Sequence, residues 1–321
     1  MSKSTPVDIA RRNFLLISLG AVISTPAMFS LSEAYALKSK KSIDSTLENR
    51  IVSFIDGTRS KGEIESDEKS SWVTYNLKTN ESLVSIDADV PMQSASMHKP
   101  FLALLFLHKM YEGKISQEDY DKAVIEDIDG KKTAKGVLEG MIRWSNNSYS
   151  NWVLSRLGGP EGAQRLIETD YKHIFHNTKI VEYIPESGPN EGKTYNNKAS
   201  ANDYLRFLKA MWNDELSYSN ELKRLMKLPK RMDRLVQNVP EIPFGTDVYD
   251  KTGSTAMLCG DMGVIVAKNK KGDECPYIMI GIIEKDTRAS DYRIWISQRA
   301  NIIRKVSGMA YDFMKRYLPN S

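Results

Sequence analysis

Apolar residues recur in this chain with two periods, and the change of period marks where helices give way to strands. Leu47, Ile51, Phe54 and Ile55 stand at helical spacing behind Ser45, a residue suited to cap a helix start. Trp72-Val-Thr-Tyr-Asn-Leu77 alternates instead, as a half-buried strand does. Lys78-Thr79-Asn80-Glu81 is turn chemistry, so Ser82–Ile86 is expected to pair back as a hairpin. Phe101-Leu-Ala-Leu-Leu-Phe-Leu107 is apolar on nearly every face, which predicts a helix buried on all sides. Val137–Leu157 and Glu161–Thr169 read as helices separated by the breaker Gly158-Gly159-Pro160. Ala201–Trp212 and Ser219–Leu228 read as amphipathic helices. Tyr249–Ser254, Met262–Lys268 and Tyr277–Ile283 read as strands, and Ser297–Tyr317 as a long closing helix. The polar stretch 177–199, with its Gly and Pro, is a long loop for a compact domain, and such loops are usually functional.

Strands toward both ends with helices between them predict an α+β fold. One antiparallel sheet of about five strands is formed by both chain ends with flanking helices, and an all-α domain is inserted in the middle. The expected boundaries are 37–92 and 229–321 for the sheet domain, and 93–228 for the helical one.

The first 36 residues read differently, as an export signal. Ala10-Arg11-Arg12-Asn13-Phe14-Leu15 carries the paired arginines of a twin-arginine signal, although Ala10 and Leu16 replace the usual Ser or Thr and Lys. Phe14 to Leu31 is apolar but broken by Ser18, Gly20, Ser24 and Pro26, short of the roughly 20 apolar residues of a spanning helix. Ala34-Tyr35-Ala36 follows as an A-x-A cleavage site, which favours cleavage over anchoring. A periplasmic or secreted protein is expected, with the membrane involved only through this signal.

Composition narrows the choice of partners. Hydrophobic residues are 41% and charged residues 27% of the 321, the balance of an ordinary globular protein. A net charge of +4, with no basic run interleaved with aromatics, gives no electrostatic case for nucleic acid. Two cysteines imply no disulfide framework. In the expected hairpin Cys275 lies near the turn and Cys259 beyond the far end, more than ~20 Å away and too far to bridge. His173 and His176 could share a helix face but lack further ligands at matching spacing, so no metal is expected. A monomer without a cofactor is the expectation.

The candidate chemistry centres on Gln93-Ser94-Ala95-Ser96-Met97-His98-Lys99-Pro100, just ahead of the buried helix. Ser94 and Ser96 are natural N-cap residues, and a serine there lies in the positive end of the helix dipole. Lys99 is three residues on, hence on the same face. Serine needs a neighbouring base to attack, and lysine is one only where burial or a nearby cation lowers its pKa.

Two further stretches stand in order, Trp144-Ser145-Asn146-Asn147 and Asp250-Lys251-Thr252-Gly253-Ser254. With Ser96-x-x-Lys99 they resemble the three signature elements of class A β-lactamases and penicillin-binding proteins. The resemblance covers most of the chain after the signal. It implies a β-lactamase-like fold and a serine hydrolase acting on a β-lactam or on a peptidoglycan stem peptide. Ser96 would attack the carbonyl, Lys99 would take its proton, and Ser145 would pass a proton to the leaving nitrogen. Asn147 would hold Lys99 and the substrate amide. Lys251, Thr252, Ser254 and, from the last helix region, Arg293 would meet the substrate carboxylate. The N–H groups of Ser96 and Ser254 would form the oxyanion hole.

Two departures stand out. The middle motif reads Ser-Asn-Asn where class A enzymes have Ser-Asp-Asn, and its central residue is expected to point away from the site. The loop glutamate that activates water in class A enzymes falls here on Glu186, four residues before Asn190, with Pro189 in place of a leucine and Glu182 as a rival. An exported serine β-lactamase is the leading expectation. A D-alanyl-D-alanine carboxypeptidase or related penicillin-binding hydrolase, and a penicillin-binding sensor without turnover, are the alternatives.

Overall fold

The structure, a computed structural model, describes residues 47–123, 130–185, 196–230, 233–269 and 271–318. The expected signal, the Ser45 cap, Glu186 and Asn190 fall outside these. Helix α1 (47–60) leads into β1 (Glu68–Asn76) and β2 (Glu81–Ile86). Next come the short strand β3 (Met92–Gln93), a 3-10 turn (Ala95–His98), and helices α2 (Lys99–Tyr111), α3 (Gln117–Asp121), α4 (Ala134–Arg143), α5 (Asn147–Arg156) and α6 (Gly159–Thr169). Strand β4 (Lys198–Ala199), α7 (Ala201–Trp212) and α8 (Ser219–Lys227) complete the middle of the chain. Strands β5 (Asp247–Ser254), β6 (Leu258–Lys268) and β7 (Glu274–Lys285) precede the long helix α9 (Tyr292–Met314).

The five-stranded sheet runs β2-β1-β7-β6-β5, antiparallel at every pairing, so both chain ends build it and β5 is an edge. Because successive side chains point to opposite faces, each strand feeds two cores. Val73, Tyr75, Met262, Val264, Ile278 and Ile280 join the core shared with α2 and with α4 to α8. Trp72, Ile265, Tyr277, Met279 and Ile283 pack under α1 and α9.

Several boundaries differ from those the patterns predict, each for a local reason. Strands β6 and β7 are covered on both faces and buried almost throughout, so they read as continuous apolar runs and extend beyond the expected limits. Cys259 therefore lies inside β6, opposite Ile283, and not beyond its end. Cys275 pairs with Ala267 farther along the strand, and both cysteines are buried free thiols. The single helix expected over 137–157 is two helices. Ser145 takes a φ of 56°, which no helix tolerates, and Asn146 then caps α5 by accepting the Tyr149 N–H at 3.0 Å. Gly158-Gly159-Pro160 starts a helix as well as ending one. Gly158 adopts φ 90° at the N-cap of α6, and Pro160 sits in the first turn, where its missing N–H is not needed. Helix α9 begins at Tyr292, ahead of the expected Ser297, because Asp291 caps it through the Ile294 N–H. From Lys99 to Leu107 every side chain of α2 is buried, as its apolar run predicts.

Candidate active site

Ser96 lies in the 3-10 turn before α2 and is half-buried, while its neighbours on both sides are buried. The residue before it, Ala95, has a φ of 45°, a strained value for a side chain with a Cβ. Three links hold the turn. The Gln93 N–H donates to Glu284 Oε1 at 2.8 Å, the Ser94 N–H donates to the Asn197 carbonyl at 2.9 Å, and β3 pairs with β4. A fourth hold is steric. Met97 is fully buried against two glycines. A Cβ on Gly253 would stand 2.9 Å from Met97 Cγ and 3.2 Å from Ala95 Cβ, and one on Gly260 would stand 2.8 Å from Met97 Cε. The cap role expected of Ser94 is not found. Its hydroxyl donates to the Asn197 carbonyl at 3.1 Å and lies 2.9 Å from His98 Nδ1. Burial, reinforced by the Lys99 charge, pushes His98 down to about 3, so this imidazole is neutral at physiological pH.

Lys99 is the hub. It is wholly buried at the start of α2. Its Nζ donates to the Ser145 carbonyl at 2.6 Å and to Asn147 Oδ1 at 2.7 Å, and lies 3.2 Å from Ser145 Oγ. The break between α4 and α5 makes this possible, since the left-handed Ser145 presents carbonyl and hydroxyl to the same amine. Burial first, and the Lys251 charge second, hold the Lys99 pKa well below the usual lysine range. When deprotonated, the amine can still donate to the two obligatory acceptors, the carbonyl and the amide oxygen. Its lone pair is then left to accept a hydroxyl proton.

Strand β5 forms the opposite wall. The Thr255 N–H donates to the Leu258 carbonyl, so the hydrogen-bonded pairs alternate from there, and Ser254, opposite Cys259, is a non-bonded position. Its N–H therefore points out of the open sheet edge. Ser96 lies in the first 3-10 turn, where N–H groups have no acceptor within the helix. Lys251 is buried and donates to the Thr252 carbonyl at 3.0 Å. Burial, then the nearby Lys230, lower its pKa to about 7 against the pull of Asp250 and Asp261.

A sequence profile described as the β-lactamase enzyme family matches residues 60–314. The chain belongs to that family. It is similar to the β-lactamase of Bacillus licheniformis, 22% identical over 178 residues that make up 54% of this chain and 55% of that protein. It is also similar to β-lactamase 3 of Bacillus cereus, 21% identical over 178 residues, 54% of each chain. The chain thus spans about half the length of the curated relatives it matches. Among solved structures it resembles a mutant of PBP-A in an acyl-enzyme complex with penicillin G, with TM-score 0.66, 19% identity and cover of 85% of this chain and 97% of that one. An ancestral class A β-lactamase superposes with TM-score 0.62, 17% identity and cover of 80% and 98%. At these identities the likeness is one of fold.

Of the candidate site residues, Ser96, Lys99, Ser145, Asn147, Lys251, Thr252 and Ser254 are carried by the serine turn, the α4–α5 break and the edge of β5. Arg293 is not joined to this group by a hydrogen bond among the described residues. It is exposed in the first turn of α9 and makes no hydrogen bond or ion pair among the described residues. Helix α9 packs on the far face of the sheet, and one turn after Arg293 its Ile296 carbonyl lies 3.8 Å from the Sγ of Cys259, the residue paired with Ser254. Arg234, which the sequence reading passed over, is buried behind β5. Its guanidinium donates to Ser254 Oγ at 2.6 Å and to the Gly260 carbonyl at 2.7 Å, and its N–H donates to Asp261 Oδ2 at 2.7 Å. With Oγ already accepting from Arg234, the Ser254 proton is left to donate elsewhere. No spacing motif announces this residue, because residues 229–246 carry neither helical nor strand periodicity.

The loop after the middle motif is tied to α5 by two asparagines. Asn147 Nδ2 donates to the Pro185 carbonyl at 2.7 Å. Asn151 donates to the Ile184 carbonyl at 2.7 Å and accepts the Ile184 N–H at 2.8 Å. Glu182, the rival for the water-activating role, is spoken for. Both of its carboxylate oxygens accept from Asn196, at 2.8 Å and 3.1 Å. Asn197 closes the neck, accepting the Val181 and Glu182 N–H groups on its side chain and the Ser94 N–H on its carbonyl. The loop neck and the serine turn are thereby one hydrogen-bonded unit.

Proposed function

We propose that this chain is an exported, monomeric serine hydrolase that opens β-lactam amides through an acyl-enzyme on Ser96, without metal or organic cofactor. The observation that carries the reading is the buried Lys99 amine, held by Ser145 and Asn147 one turn from a half-exposed serine. In the proposed reaction Ser96 Oγ bonds to the lactam carbonyl carbon as its proton passes to Lys99 Nζ. The oxyanion is met by the N–H groups of Ser96 and Ser254. The C–N bond then breaks, and the nitrogen takes a proton relayed from Lys99 through Ser145 Oγ. Lys251, Thr252 and Ser254, the last oriented by Arg234, bind the substrate carboxylate. Water then attacks the ester with Glu186 as the base, one residue beyond the Pro185 carbonyl that Asn147 holds. Export rests on Arg11-Arg12 and Ala34-Tyr35-Ala36.

One observation favours a second reading. The loop segment that meets Asn147 and Asn151 is Ile184-Pro185, contacted through its backbone and without a carboxylate, and Glu182 is turned to the loop neck. A site that acylates well and deacylates slowly fits a penicillin-binding hydrolase of D-alanyl-D-alanine peptides. A chromogenic cephalosporin separates the two. Sustained turnover by the purified protein supports the β-lactamase, whereas one stoichiometric burst followed by a stall supports the peptidase. No colour change at all contradicts both.

A further inference from the structure

Trp144 stands immediately before Ser145 and is 54% exposed, although an indole of this size is normally covered. It is not a loose surface residue. The Arg143 guanidinium stacks over the ring, 4.3 Å from its centroid. That arginine is itself fixed, its Nε donating to the Pro229 carbonyl at 3.1 Å. Pro229 precedes Lys230, which is paired with Asp250, the residue before Lys251. The Arg143–Pro229 link therefore runs from the Ser145 wall to the segment that braces the Lys251 strand, across the end of the cleft between them. The indole stands beside this link, more than half exposed, with the guanidinium over its ring. Its backbone is fixed as well, since the Trp144 N–H donates to the Gly140 carbonyl at 3.1 Å and the next carbonyl is held by Lys99.

A pre-stacked aromatic surface beside the proton donor of the leaving group has an evident use. We propose that Trp144 is a stacking subsite for a planar aromatic substituent on the leaving-group side of the acyl donor. This rests on the reading of Ser96 as the acylated serine. Aromatic pairs prefer offset or edge contact with a fixed partner, and the arginine behind the ring removes the freedom that stacking would otherwise have to freeze.

The test compares two cephalosporins with the same acyl side chain, one with a styryl group and one with a methyl group on the ring fused to the lactam. The second-order rate of Ser96 acylation is measured for the unmodified protein, Trp144→Phe and Trp144→Ala. The styryl group also changes intrinsic reactivity, so each variant is compared with the unmodified protein on the same compound. Trp144→Ala is expected to lower the styryl rate by about 3- to 10-fold and leave the methyl rate unchanged, with Trp144→Phe retaining most of the preference. An equal fall with both compounds overturns the subsite and makes Trp144 a structural residue. A fall that follows an aromatic ring on the acyl side chain overturns its placement. If the unmodified protein acylates with neither compound, the acyl-enzyme reading fails by itself. The subsite is then judged by the Kd of the styryl compound for Ser96→Ala against Ser96→Ala/Trp144→Ala, and an unchanged Kd overturns it.

Discussion

Adding a single methyl group at Gly253 tests how the serine turn is held. The new Cβ would lie 2.9 Å from Met97 Cγ and 3.2 Å from Ala95 Cβ. Carbon atoms pack best at about 3.5–4.0 Å, so the turn must retreat by roughly 0.5 Å or Met97 must leave its rotamer. Overpacking of this kind costs about 1–3 kcal/mol, and at roughly 2–4 °C per kcal/mol for a domain of this size Gly253→Ala should melt measurably lower. A second effect is on chemistry. Ala95 and Met97 flank Ser96, and a misplacement near 1 Å costs on the order of 10²-fold in rate. With a retreat of roughly half that distance, acylation by a fluorescent penicillin should fall by about 10-fold. Met97→Ala removes Cγ and the rest of the side chain. Gly253→Ala/Met97→Ala should therefore recover most of the lost rate, with a stability loss smaller than the sum of the two single changes. Unimpaired acylation by Gly253→Ala would refute the steric argument. So would a double variant no better than the single one.

Lys251, held near 7 by burial, is charged below that pH and neutral above it. Acylation by carboxylate-bearing lactams should decline above about pH 7, while lactam esters without the carboxylate stay flat; parallel profiles would contradict the role given to Lys251. The same shift has a stability sign. An unfolded lysine keeps its proton to the ordinary 10.5 and the folded one does not, so between about 7 and 10.5 the unfolded chain binds more protons and this residue makes stability rise with pH. Denaturant titrations of Lys251→Met should lack that slope. Glu186→Gln should accumulate the Ser96 ester, slowing its hydrolysis by roughly 10²–10⁴-fold, whereas Glu182→Gln should loosen the loop neck at Asn196. A stall in Glu182→Gln alone would reverse the assignment. Replacing Arg11 and Arg12 by lysine should retain the protein in the cytoplasm, and undiminished export would rule out the twin-arginine route.

The site was legible in the sequence wherever its chemistry rests on short spacings. Ser96 and Lys99 share one helical turn, and Lys251 to Ser254 share one strand, so the chain order alone places each set together. Trp72–Ile86 declared its hairpin because one turn separates its strands. What stayed hidden depends on contacts between distant segments. Arg234 reaches Ser254 from a stretch without periodicity, and Met97 finds its pocket only when Gly253 and Gly260 are paired across β5 and β6. The α4–α5 break was equally invisible to periodicity, since Leu138, Ile142, Tyr149 and Val153 keep helical spacing through a left-handed Ser145.

Ser96 as the nucleophile is tested most directly by intact mass of Glu186→Gln, in which the ester should persist, acid-quenched after incubation with penicillin G. A single adduct of the mass of the whole antibiotic is expected, since the opened lactam loses no atoms. Peptide mapping should place it on Ser96, and it should be absent from Ser96→Ala. An adduct that persists in Ser96→Ala, or that maps to another residue, would contradict the account.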